Sequence, residues 1–307
     1  MLFPNPDMLL YIAIADAYAI AVEFINEKDS AKLLEECLKF RLYLQHPKYK
    51  QPYGSYTDDT EMSVGCARVL LTHDYPFTPI QFANAWVQEF AYGRRRKGYS
   101  PGFQAFLESF DFGSEFLRRI NDQSDKNGAA MRAVPIGILP NISQVIATAD
   151  LQAKITHNTD AGRFAAIAVA VMSHFALYEN RPLSQVREYC LEHIGNFVGD
   201  LSRVWLKKRW TGMRVKEYPH EPLSISTLQA VMTLITECNS LMEIMITCLN
   251  WGGDTDSVAA IAWGIASTRM QSEKLPPFMT DGLEQGKLNT GKVRLHQLGK
   301  HLMKKYS

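Results

Sequence analysis

Two short oxygen-rich segments hold the side chains best suited to chemistry. Asn250-Trp251-Gly252-Gly253-Asp254-Thr255-Asp256-Ser257 runs directly into an apolar stretch at Val258. The two glycines supply a turn, Asp254 stands where an N-cap belongs, and Asp256 and Ser257 follow in the first turn. Helix capping alone accounts for one such cluster, since aspartate and serine are favoured there and interact well with the helix dipole. A second cluster has the same form. Ser55-Tyr56-Thr57-Asp58-Asp59-Thr60 also opens an apolar helix, and adjacent aspartates repel unless something neutralises them. If the two helix starts converge, Thr57, Asp58, Asp59, Asp254, Asp256 and Ser257 form an all-oxygen set with no cysteine or histidine. Hard cations prefer such ligands: magnesium, manganese or calcium rather than zinc or copper. Four carboxylates exceed the need of one divalent ion, so two ions sharing bridging carboxylates are expected. Spacing alone names no substrate.

Three other segments stand out. Asp16 and Glu23 lie seven residues apart on what reads as one apolar helix, near one face. Two carboxylates in such a helix must be satisfied by partners. Asn127-Gly128-Ala129-Ala130-Met131-Arg132 is a small-residue segment whose backbone could approach a ligand, or simply a helix start. Thr156-His157-Asn158-Thr159-Asp160 is polar and precedes the most apolar run of the chain. A single histidine is more often structural than catalytic, and its spacing gives His157 no role. The basic runs Arg94-Arg95-Arg96-Lys97 and Lys207-Lys208-Arg209 read as solvated faces, with attraction of a phosphate-bearing substrate the alternative for the first.

The elements that must position these groups read as helices nearly throughout. Residues 60–73 place Met62, Cys66 and Val69 at helical spacing. Residues 162–177 are apolar all round from Phe164 to Met172, as in a helix surrounded by others. A buried strand is the rival for so short a run, but alanine content and length favour a helix. Residues 256–270 repeat the theme, and 225–248 give another long helical pattern. No run alternates with period two. No linker or repeat divides the chain, so one domain over 1–307 is expected. Residues 43–57 and 93–102 are the irregular segments, and loops of that length are often functional.

The net charge of +1 argues against a dedicated nucleic-acid or membrane-surface binder. Five dispersed cysteines suggest neither a disulfide framework nor a zinc site. The apolar N-terminal stretch is interrupted by Asp16 and Glu23, so neither a signal peptide nor a membrane span is expected. A cytoplasmic monomer follows, in the producing cell or in a host cell if the chain is exported.

Taken together, ADAYAIAVEF at 15–24, YTDDTEM at 56–62, KNGAAMR at 126–132, THNTDAG at 156–162 and GGDTDSVAAIAWGIA at 252–266 resemble the ADP-ribosylglycohydrolase family, of the dinitrogenase-reductase-activating glycohydrolase and ADP-ribosylhydrolase type. The resemblance runs from about residue 11 to 270 and is loose over 275–307. It implies an all-α, compact orthogonal bundle with two magnesium ions, replaceable by manganese, at the bottom of a cleft. Thr57, Asp58, Asp59, Asp254, Asp256 and Ser257 match the metal-binding positions. Asp58 and Asp59 match residues essential for turnover, and Glu23 a glutamate on or beside a flap. Asp16, Asn127, Gly128, Ala129 and His157 fall on the substrate side. Residues 93–102, with Gly98 and Tyr99, match a loop flanking the adenosine.

The implied reaction is attack of water at C1″ of the distal ribose, releasing ADP-ribose from a modified protein. Chelation of the ribose hydroxyls by two hard cations would orient C1″. Asp58, Asp59 or Asp256 would act as general base, and Glu23 would protonate or orient the leaving group. Arginine is the preferred linkage, because an aspartate-rich cleft suits a guanidinium. Serine-linked ADP-ribose, poly(ADP-ribose) and O-acetyl-ADP-ribose are alternatives, as is a silent ADP-ribose binder or a toxin antagonist. The family's usual N-terminal Gly-Asp-Ala-x-Gly is changed here, with Ala15 and Ala19 at the glycine positions and a bulky Tyr18. Ser257 replaces a commoner threonine. No implied metal ligand is lost.

Overall fold

The run from Phe164 to Met172 has no polar face to offer water, and a helix of that kind must be enclosed. In a computed structural model, which describes residues 2–25, 27–212, 221–285 and 290–307, it is. The first half of the chain forms α1 (Met8–Ala19), α2 (Glu27–Cys37), α3 (Asp58–Thr72), α4 (Pro79–Tyr92), α5 (Pro101–Glu108), α6 (Gly113–Arg119), α7 (Gly128–Met131) and α8 (Ile142–Lys154). The second half forms α9 (Asp160–Tyr178), α10 (Val186–Ile194), α11 (Asp200–Lys207), α12 (Leu223–Glu237), α13 (Leu241–Trp251), α14 (Thr255–Ala266), α15 (Pro277–Asp281) and α16 (Lys292–Tyr306). The one named extended element among the described residues is the three-residue piece Phe197–Gly199. The architecture is therefore all-helical.

Helix α9 is buried from Phe164 to Leu177 and is packed by α7, α8, α10 and α12. It is long and apolar enough to cross a membrane by composition, but 89% of its most apolar window lies inside the protein. Helix α1 lies along α14 and also touches α3 and α16. One apolar cluster joins side chains from Met8 to Met303. The α1–α14 contact depends on a missing side chain. A Cβ built on Gly264 would lie 2.6 Å from Ile12 Cγ1 and 3.1 Å from Val134 Cγ1.

Two expectations change. Asp16 and Glu23 do not share a helix face. Helix α1 ends at Ala19, a tight 3-10 turn covers Ile20–Val22, and Glu23 follows in an extended conformation at φ −61°, ψ 124°. The turn swings Glu23 away from the α1 axis. The helical pattern over 225–248 is also two helices rather than one. Ser240 accepts from Glu243 N at 3.0 Å, while the Glu243 carboxylate accepts from Asn239 N at 2.7 Å. This reciprocal cap starts a new helix after Cys238-Asn239.

Helix propensity favours alanine over glycine by ~1 kcal/mol, but forcing a methyl into a packed core costs about 1–3 kcal/mol. Gly264→Ala is expected to lower stability in denaturant unfolding, and Gly264→Val to lower it further. A stabilised alanine variant would show that the α1–α14 contact yields easily.

Candidate functional site

Helix α3 begins at Asp58, but its N-cap residue Thr57 does not cap it with its own side chain. The cap comes from Asp16, in the last turn of α1. Asp16 Oδ2 accepts from Thr57 N at 2.9 Å, Thr60 N at 3.1 Å and Thr60 Oγ1 at 2.6 Å. Its Oδ1 accepts from Thr57 N at 3.0 Å and Thr57 Oγ1 at 2.8 Å. A carboxylate at a helix N-terminus is favoured by the dipole and satisfies orphan N–H groups. This one is fully buried. It holds α3 against α1 at the point where Asp58 and Asp59 emerge.

The second acidic segment is pinned to the same end of α1. Gly252 (φ 67°) and Gly253 (φ 79°) turn the chain through the left-handed region that glycine tolerates. Phe24 N donates to Gly253 O at 2.8 Å, and Thr255 Oγ1 donates to Ala19 O at 2.8 Å. Asn127 Nδ2 donates to Asp254 Oδ2 at 2.8 Å and to Thr227 Oγ1 at 3.2 Å. The Ser257 hydroxyl lies against Asp59 and Asp254.

These ties bring the carboxylates together in two groups. Asp16, Asp59 and Asp256 each offer an oxygen within 4.8 Å of the others, and so do Glu23, Asp254 and Asp256. Asp256 belongs to both groups. Asp58 belongs to neither, being partly exposed beside them. Among the described residues no lysine or arginine forms an ion pair with any of these six carboxyls. The buried acids elsewhere are treated differently: Glu61 has Arg96 at 2.8 Å, and Glu89 has Arg68 at 2.6 Å and Arg294 at 2.8 Å. Asp59 Oδ1 and Asp256 Oδ1 are buried with no hydrogen-bond partner.

The electrostatic consequence is uniform. Burial raises the pKa of Glu23, and Asp254 and Asp58 raise it further. Burial and then Asp16 hold Asp58 and Asp59 well above the usual carboxylate range. Burial, Glu23 and Asp59 do the same to Asp256. Asp16 and Asp254 are raised by burial against hydrogen bonds that oppose it. Unpaired buried charge is strongly destabilising. Orphaned carboxylate oxygens in two groups with a shared member fit a pair of divalent cations bound through oxygen.

The remaining expected residues surround this centre unevenly. Asn127 reaches it directly through Asp254. A Cβ on Gly128 would lie 2.9 Å from His157 Cε1, so Gly128 seats the His157 ring, and Ala129 is buried behind it. Burial, with Arg132 and Lys126 nearby, pushes His157 down to about 3. A Cβ on Gly98 would lie 2.8 Å from Thr57 Cβ, so this glycine (φ 130°) lets its loop pack on the α3 start. Tyr99 is 5% exposed, and its hydroxyl donates to Glu61 Oε2 at 2.6 Å. That hydroxyl braces a buried carboxylate rather than facing a ligand.

Residues 94–97 are not a uniformly solvated face. The Arg96 side chain is 8% exposed and donates to Glu61, to Glu284 at 2.9 Å and to Tyr56 O at 2.9 Å. Its burial follows from the acids it neutralises. Arg94 and Lys97 are exposed and line a cavity of about 890 Å³ with Tyr49, Gln51 and Tyr56. Tyr49 was not singled out from the sequence. Its hydroxyl hydrogen-bonds Glu23, and it is placed by His46, whose Nδ1 accepts from Tyr49 N at 3.2 Å and whose Nε2 meets Glu23 O at 2.9 Å. The irregular segment 43–57 was the available signal. Its contact with Glu23 depends on chain packing.

An ADP-ribosylglycohydrolase family model matches residues 7–307. An uncharacterized protein of Archaeoglobus fulgidus is 27% identical over 306 residues, covering 96% of this chain and 97% of that one. ADP-ribosylhydrolase ARH3 of Xenopus tropicalis is 26% identical over 266 residues, with 72% and 75% covered. ADP-ribosylhydrolase ARH3 of Homo sapiens is 26% identical over 265 residues, with 72% of each covered. A solved structure described as an ADP-ribosylglycohydrolase-related protein complex superposes with a TM-score of 0.72 at 20% identity, over 98% of this chain and 97% of its own. That likeness shows the fold.

Raised carboxyl pKa values mean that the folded chain binds more protons than the unfolded one. Without cations its stability falls as pH rises through those raised values. Divalent cations replace the missing protons. Magnesium is therefore expected to raise the melting temperature more at neutral than at mildly acid pH, as read by thermal unfolding with and without chelator. Equal melting temperatures at neutral pH would refute the cation assignment.

Proposed function

The chain belongs to the ADP-ribosylglycohydrolase family, and on that premise we propose that it is a magnesium-dependent hydrolase that releases ADP-ribose from ADP-ribosylated arginine in proteins. The single observation that carries the cation dependence is the set of buried carboxylates without cationic partners, with orphaned oxygens on Asp59 and Asp256. The relatives named ADP-ribosylhydrolase support hydrolysis of an ADP-ribosyl bond. Their names state no linkage, so the choice of arginine rests on charge. With Glu23 taken as the proton donor, five carboxylates remain against the four positive charges of two divalent ions, and the residual negative charge favours a cationic guanidinium leaving group.

Thr57, Asp58, Asp59, Asp254, Asp256 and Ser257 are assigned to hold the two ions. When bound, two such ions supply Lewis-acid charge to the vicinal hydroxyls of the distal ribose. Asp58, Asp59 or Asp256 accepts the proton of the water that attacks C1″. Glu23 sits beside Asp254 and Asp256, and burial, with Asp254 next to it, raises its pKa in the direction a proton donor needs. From there it gives a proton to the departing guanidine nitrogen. Asn127, Gly128, Ala129 and His157 are assigned to the substrate side, next to Asp254 through Asn127, and residues 93–98 flank the outer end. Asp16 acts by fixing the position of Thr57 and its neighbours.

Asp256→Asn and Asp59→Asn are each expected to lower kcat by about 10²–10⁴-fold, the range for losing a proton-transfer group. The helical circular-dichroism signal should be preserved, because each change removes a repulsive charge. Retention of full turnover by either variant removes that residue from the centre. ADP-ribose release from matched arginine- and serine-modified substrates, with magnesium and with chelator, tests the linkage. Magnesium-dependent release from arginine is expected. Release from serine alone transfers the specificity to an oxygen linkage.

A further inference from the structure

Arg132 is 1% exposed and has no carboxylate within ion-pair distance among the described residues. Buried guanidinium groups are rarely left this way. Its donors go instead to neutral groups. Nε donates to Gln152 Oε1 at 2.6 Å, and Nη2 donates to Gln152 O at 3.2 Å and to Thr156 Oγ1 at 2.6 Å. The guanidinium lies over Trp86, 3.8 Å from the ring centroid.

These bonds determine where hydrogens must sit. A guanidinium only donates, so Thr156 Oγ1 accepts from it. The oxygen keeps a second lone pair, but among the described residues the one acceptor in contact with its hydrogen is His157 Nδ1 at 2.7 Å, which favours donation to that nitrogen. An accepting Nδ1 puts the ring hydrogen on Nε2. Gln152 is oriented by the same logic. Its Oε1 accepts from Arg132, so its Nε2 donates to Ala129 O at 2.9 Å. One cation thereby fixes both the 127–129 segment and His157. The His157 Nε2 edge lies over Gly128, where a built Cβ would be 3.1 Å away. Gly128 is next to Asn127, whose amide holds Asp254. His157 is nine-tenths buried, and its Nε2 has no hydrogen-bond partner among the described residues.

We propose that Arg132 is a positioning residue: through Thr156 it holds His157 in the Nε2–H tautomer, presenting a neutral N–H donor beside Gly128 for an acceptor oxygen of ADP-ribose. A ring fixed in this way cannot gain a second proton without displacing the Thr156 hydrogen. The low pKa of His157 agrees with that. The donor therefore stays neutral and directional across the working range, and a substrate oxygen meets a fixed partner. The identity of the ligand rests on the functional reading above. The tautomer does not.

The test begins with the ligand-free chain carrying ¹⁵N-histidine, observed by long-range ¹H–¹⁵N correlation, with His157 identified by loss of its signals in His157→Gln. One bare Nδ1 and one protonated Nε2 are expected. A protonated Nδ1 with a bare Nε2 overturns the proposal. Thr156→Val removes the hydroxyl at constant shape, and Thr156→Ser restores it. The valine variant is expected to mix the tautomers and to weaken ADP-ribose binding by about fivefold to tenfold, as for loss of one neutral hydrogen bond. KM should rise with kcat little changed, and serine should recover both tautomer and affinity. A valine variant with the wild-type tautomer and affinity overturns the proposal. If the valine variant does not fold, the wild-type tautomer and the serine variant still decide. If the wild-type chain shows the expected tautomer but binds no ADP-ribose, the functional reading fails and the Arg132–Thr156–His157 relay stands.

Discussion

The carboxylate of Asp16 accepts hydrogen bonds from the backbone and hydroxyls of Thr57 and Thr60, and these bonds set the relation of α1 to α3. Much of the centre depends on that junction. Helix α3 could be capped by Thr57 itself, as helices commonly are. Supplying the cap from another helix makes the start of α3 a tertiary feature and fixes the direction in which Asp58 and Asp59 leave it. The second acidic turn is bound to the end of the same helix α1 through Ala19 and Phe24. Helix α1 is therefore the common reference for both clusters, and its close packing on α14 keeps them at contact distance.

The same arrangement stores electrostatic repulsion. Among the described residues six carboxyls lie together without a lysine or arginine in ion-pair contact, whereas Glu61 and Glu89 are each neutralised by arginine. The contrast separates two uses of buried acid in one fold. Paired acids such as Glu61 brace the loop over 93–99 through Arg96 and Tyr99. The unpaired ones form a centre whose raised carboxyl pKa values favour protons at low pH, and whose oxygen-only donor set suits divalent cations.

Around Arg132, the order is set by hydrogen bonding rather than by charge pairing. Arg132 ties Gln152, Thr156 and, through them, Ala129 and His157 into one network. A fully satisfied polar network of this kind specifies a single geometry. One part of the molecule thus holds unpaired buried acids, and the part beside Asn127 holds a hydrogen-bonded network centred on Arg132.

The sequence by itself determined a great deal. All-round apolarity of residues 164–172 required an enclosed helix, two aspartate-rich helix starts pointed to an all-oxygen site suited to hard cations if they converged, and five motifs in order identified the family. It did not determine that Asp16 and Glu23 part company, because the helical pattern runs on through Ile20–Val22, where the chain instead makes a 3-10 turn and then bonds through Phe24 N to the distant Gly253 O. Nor did it distinguish Arg96, which is buried, from Arg94 and Lys97, which are exposed, since a run of like charges looks uniform until its partners are known. Tyr49 and Arg132 gained their roles in the same way. Local spacing decides which face of a helix a side chain occupies. Only the packed chain decides which distant acid, amide or hydroxyl it meets there.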